Sequence, residues 1–180
     1  SACALAAGKP EQGLEVLKSY VADPKVSIVV LHYGHKAEAK GHLQVAAAAY
    51  GQYAEHNRNS PQYYTALVRQ AEVVSDLGEH EQAVDIYGGI AQEFPDRPET
   101  LEAILVLAEL HLEELHQPAT AHSLLKQVLD NARPSDTRLR AISLASECSV
   151  RMNDLDQAEL QVKVDKFRSD GLIAQGKAFD

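Results

Sequence analysis

The chain has 180 residues, 45% of them hydrophobic and 24% charged, and carries a formal net charge of -9. That length and balance suit one domain or a short repeat array in water. The acidic surplus argues against general nucleic-acid binding, which needs a basic footprint to displace counterions, and no apolar run approaches the roughly 20 residues that a membrane span requires.

The opening stretch SACALAAGKP has neither a basic start nor a long apolar centre, so it does not read as an intact signal peptide. Cys3 among small residues reads as part of a helix running into Gly8, in preference to the start of a processed lipoprotein. The only other cysteine, Cys148, lies at the far end of the chain, and an elongated fold would hold the two too far apart to bridge. Neither fixes the compartment, and the expectation is a soluble cytoplasmic or periplasmic protein.

From Gly8 onward one pattern recurs: a turn residue, a small residue five later, and a large apolar residue four after that. The first copy is Gly8, Gly13, Leu17 and the second Gly41, Ala46, Tyr50, the latter preceded by Val30, Tyr33, Gly34 and Ala37 at helical spacing. In NRNSPQ, Ser60 reads as a helix cap and Pro61 as the first helical position. The third copy is Gly78, Ala83, Tyr87 after a helix carrying Leu67, Ala71 and Val74, and Pro95 closes it. Gly88 and Gly89 fall inside its second helix, where close packing is the simplest reason for them. The fourth is His116, Ala121, Leu125 after Leu101, Leu105, Ala108 and Leu112; the fifth is Asn153, Ala158, Val162 after Ile142 and Ala145.

The small residues stand 33, 37, 38 and 37 residues apart. A helical hairpin explains the order: the small side chain lets two helices approach, and the large one a turn later fills the space between units. One such hairpin cannot bury its own apolar face, so neighbours must stack.

These residues resemble the tetratricopeptide repeat, whose pattern of a large apolar residue, glycine, aromatic, alanine, aromatic and proline is matched best by the second and third copies. The resemblance implies an all-α fold, an α-solenoid built as a right-handed superhelix of about four and a half hairpins. It would cover residues 1–167, leaving 168–180 as a tail or partial capping helix.

The family binds proteins or peptides on a concave surface lined by the first helix of each repeat. Carried over by helical phase, the residues on that surface are His35, Glu38, Arg69, Glu72, Ser75, Glu109, Glu113, Arg140 and Glu147. Acid predominates, which favours a basic partner. Glu72 and Glu147 stand where co-chaperone relatives that clamp a C-terminal carboxylate use asparagine or basic residues, so that ligand is not expected.

No catalytic motif is present: there is no nucleophile elbow, phosphate loop, dinucleotide fingerprint or zinc-protease helix. His32 and His35 supply two potential ligands where zinc takes at least three from protein, and His111, His116 and His122 straddle a turn. The reading is therefore a scaffold for protein interaction, not an enzyme, with no cofactor and no metal. The alternative is an accessory repeat domain of a larger enzyme or cell-envelope protein.

Overall fold

The recurring turn residue takes its place for a backbone reason. Gly41 and Gly78 have φ of +76° and +79°, in the left-handed region that a side chain disfavours. The chain there turns back on itself, with the His42 N–H donating to the Ala37 carbonyl at 2.9 Å and the Glu79 N–H to Val74 at 3.1 Å. His116 does the same without glycine, at φ 53°, and its turn is one residue wider: the Gln117 N–H reaches the His111 carbonyl at 2.7 Å.

The computed structural model describes residues 8–23, 26–132 and 136–176, the stretch from 157 onward as backbone alone. Among the described residues there are eight helices and no strand: α1 (Pro10–Lys18), α2 (Ile28–Glu38), α3 (Leu43–His56), α4 (Tyr63–Asp76), α5 (His80–Glu93), α6 (Thr100–Glu113), α7 (Pro118–Asn131) and α8 (Asp136–Gly176). The fold is an all-α helical repeat. Helices α2, α4, α6 and α8 form one layer and α1, α3, α5 and α7 the other, and each sequential pair from α2 to α8 packs together.

The small and large positions are buried where the repeat requires them. Ala46, Ala83 and Ala121 are fully buried, as are Tyr50 and Leu125, with Tyr87 nearly so. Gly34 on α2 is a true close contact: a methyl group there would stand 2.8 Å from the Tyr50 ring. The hydroxyl of Tyr33 ties α2 to α1 by donating to the Pro10 carbonyl at 2.7 Å. The core then runs on through Val30, Tyr53, Val73, Ile90, Leu105 and Val128.

Four sequence expectations fail locally. Pro61 lies before α4, which begins at Tyr63, and Ser60 closes a local turn by accepting the Gln62 N–H at 3.2 Å, so it is not the helix cap. Ile142 faces outward at 47% exposure, beside exposed Leu139 and Val150, because α8 packs through Ala141 and Cys148 instead. Asn153 makes no turn; α8 runs through it for 41 residues. Ala158 and Val162 lie in the part of α8 whose side chains are outside the described residues, and Cys3 lies outside them altogether.

The fourth failure concerns Gly88 and Gly89: a Cβ added at either would meet nothing within 4 Å. Close packing does not account for them. Both lie inside α5, where glycine costs about 1 kcal/mol relative to alanine. Gly88→Ala and Gly89→Ala are each expected to raise the urea midpoint, by an increment equivalent to about 0.5–1 kcal/mol. A lowered midpoint at either site would mean that the backbone there needs the freedom glycine gives.

Candidate functional site

The first-layer helices place their polar side chains in register across the array, and arginines bridge the carboxylates of neighbouring helices. On α2, Glu38 accepts a hydrogen bond from the Tyr50 hydroxyl, which also stands 2.8 Å from Nδ1 of His35. Arg69, on α4, reaches Oε2 of Glu72 at 3.0 Å and Oε1 of Glu38 at 3.7 Å. His35, Glu38, Arg69 and Glu72 therefore form one chain of contacts joining α2 to α4.

Burial acts first on this group, and charge second. It pushes the Tyr50 hydroxyl well up from its ordinary value, reinforced by the hydrogen bond to Glu38 and its charge, so the phenol stays protonated and donates. It pushes His35 down, with the positive charge of Arg69 acting in the same direction.

A second network joins α6 to α8. Arg140 pairs with Glu102 and, at 2.8 Å, with Oε1 of Glu109. Arg151 holds Glu113 through both carboxylate oxygens, at 2.9 and 3.1 Å, and Glu147 at 2.6 Å. Its other terminal nitrogen donates to the Leu112 carbonyl at 2.9 Å. Ser75 is half-buried on α4, one turn beyond Glu72, and belongs to neither network.

Four polar residues of this face escape the sequence reading. Tyr50 and Tyr87 register there as packing residues, although their hydroxyls extend to the layer of charged groups. Arg151 is hidden by the expected turn at Asn153; on one continuous helix its spacing of four from Glu147 would have revealed it. Glu102 lies seven residues before Glu109, two turns away on the same face of α6, and that interval was the available signal.

These pairs are largely open to solvent, which screens them, so each contributes little to stability. Their arrangement matters more for what it leaves over. With Asp76, the networks contain seven carboxylates against three guanidinium groups, and the face keeps a negative surplus. Such a face attracts cationic groups and repels anionic ones over about 8–10 Å at moderate salt.

Cys148 is fully buried, and burial pushes its thiol up, away from the thiolate form. Among the described residues no group of three or more histidine, cysteine, aspartate or glutamate side chains is placed to hold a metal ion, and no helix is long and apolar enough to cross a membrane.

The sequence matches no protein-family model and no curated protein. Solved structures with the same fold do match. Over 90% of this chain, and 88% of the other, the structure is similar to the nearly identical TPR-like repeats of a Podosopora anserina protein assigned as a kinesin light chain, at 16% identity and a TM-score of 0.61. It is also similar to MamA, with 12% identity over 86% of this chain and 95% of that one and a TM-score of 0.52, and to a double mutant of MamA from RS-1 at 16% identity and 0.51. The fold is therefore that of the TPR-like helical repeats.

Proposed function

We propose, from this TPR-like fold, that the chain is a protein-interaction scaffold whose first-layer face captures a basic segment of a partner protein. The observation that carries the reading is the composition of that face: its three arginines are each already engaged by carboxylates of the same chain, while acid remains in surplus. A partner's lysine or arginine side chains meet attraction there, and a partner's carboxylates meet none. Because the internal pairs are partly exposed and individually weak, their carboxylates can exchange an internal cation for an incoming one at little cost.

The test is a paired substitution. Glu72→Gln with Glu109→Gln removes one carboxylate from each side of the middle of the face, and each change should alter stability by no more than about 0.5 kcal/mol. The expected result is unchanged helix content with weaker binding of a hexa-arginine peptide, the difference shrinking as salt rises from about 50 to 300 mM. Equal affinity for wild type and double variant, without salt dependence, would place docking elsewhere on the array.

A further inference from the structure

Helix α8 is 41 residues long, against 14 each for α6 and α7, the helices it packs on. At about 1.5 Å per residue it is about three times their length, so much of it runs past them. Helices in water draw most of their stability from an apolar face packed on a neighbour, and one this long needs such a face beyond the array.

The side-chain pattern of α8 supplies that face. Leu139, Ile142 and Val150 are 66%, 47% and 61% exposed, on the side opposite Ala141 and Cys148, through which α8 meets the array. Ser146 and Ser149 lie among them, and their hydroxyls donate back to the Ile142 and Ala145 carbonyls of the same helix at 3.0 Å, so they add little polarity outward. By helical phase the same side of the continuous helix takes in Leu160, Val164 and Phe167. At 100° per residue all six apolar positions fall within about 100° of arc. The helix carries thirteen charged residues, yet none falls in that arc between Leu139 and Phe167. The stripe is 29 residues long, or about 42 Å.

The far end of the same α8 cannot cover the stripe, because the helix continues straight through Asn153 and residues 154–176 extend its axis instead of lying beside it. A second copy can. Up to Asn153, α8 carries three arginines against two acids; beyond it, three basic residues face five acids. Antiparallel pairing sets the positive half of one helix on the negative half of the other and opposes the two helix dipoles, whereas parallel pairing sets like on like.

We propose that α8 is a dimerisation helix, pairing antiparallel with α8 of a second copy through this stripe. Asn153 is midway between Leu139 and Phe167, so the two-fold axis passes beside it. Leu160, Val164 and Phe167 of each copy then cover Leu139, Ile142 and Val150 of the other, and the same patch is used twice, as a two-fold interface requires. At the axis Asn153 meets its own counterpart, where two amides can hydrogen-bond to each other, and any shifted register buries them unmatched. The arrays lie on opposite outer sides of the pair. Arg140, Glu147 and Arg151 lie on another side of α8, so this dimer is independent of the basic-partner reading.

The experiment measures the mass of the full chain by light scattering during gel filtration. At about 100 μM the wild type is expected to run as a dimer. Ile142→Asp with Val150→Asp, both at exposed positions, should weaken self-association at least about a hundredfold, with the array still folded by circular dichroism. Val164→Asp with Phe167→Asp, in the other half of the helix, should do the same, because in an antiparallel pair each half meets the other. Cross-linking reads the direction. With Cys3→Ser and the buried Cys148 retained, Leu139→Cys should form a disulfide with Phe167→Cys when the two variants are mixed and oxidised, and neither should link to itself.

A wild type that stays monomeric at about 100 μM overturns the proposal, whatever then covers the stripe. So does a dimer that either aspartate pair leaves intact, since the contact would lie on another face. Self-linking of Leu139→Cys means a parallel pair and overturns the antiparallel arrangement.

Discussion

Leu125→Ala is expected to lower the unfolding free energy by about 2–5 kcal/mol, the largest effect of any substitution considered for this protein. The side chain is fully buried among Leu105, Ala108 and Leu112 of α6, Val128 of α7, and Ala141 and Cys148 of α8. Because its neighbours come from three helices, the space left by truncation cannot close without moving one helix relative to another, and the cavity cost adds to the lost burial. Urea unfolding should show a lower midpoint at unchanged slope. Stacked repeats are stabilised mainly by neighbouring units, so hydrogen exchange should speed up in α6 to α8 before α2 and α3. A loss below about 1 kcal/mol would show that Leu125 is not the plug between these helices.

Ala83→Leu should cost about 1–3 kcal/mol for the opposite reason. Ala83 has no exposed surface and sits in the core shared by α4, α5 and α6 with Ala71, Val74 and Tyr87. Three added carbons there must push α5 away from α4 or force a neighbour out of its rotamer. The exposed residue beside it is the control: Gln82→Leu, with the same new side chain, should stay within about 0.5 kcal/mol. Thermal melts of the two variants decide the matter, and equal midpoints would mean that the small position of the repeat tolerates bulk.

The two substitutions probe the two halves of one rule, small then large one turn later, and the same rule shapes the polar face. Tyr50 and Tyr87 are large enough to fill the space between helices and long enough to carry a hydroxyl to its edge. Leu125 fills the same place without one, and at that repeat the polar contacts are instead made by arginines from α8. The repeat's packing position and its chemistry are thus coupled: tyrosine there fills the core and carries a hydroxyl, whereas leucine only fills the core.

The sequence by itself determined the helical class, the repeat and the burial of its key positions, because those depend on spacing along one helix and on the backbone freedom of glycine at a turn. Gly41, Gly78, Ala46, Ala83 and Leu125 were legible for that reason. It also singled out most of the charged residues that meet across the first layer, since helical phase places them on one side. Which charges pair was decided only by the tertiary structure: Arg69 with Glu38 and Arg140 with Glu109 are 31 residues apart in both cases, a separation that carries no local signal and depends on how far one helix is rotated against the next. The end of the array was also misread from local pattern. Asn153 can sit in a turn or in a helix at similar cost, and the continuous α8 that passes through it sets Arg151 against Glu113 and Glu147 and turns Ile142 outward.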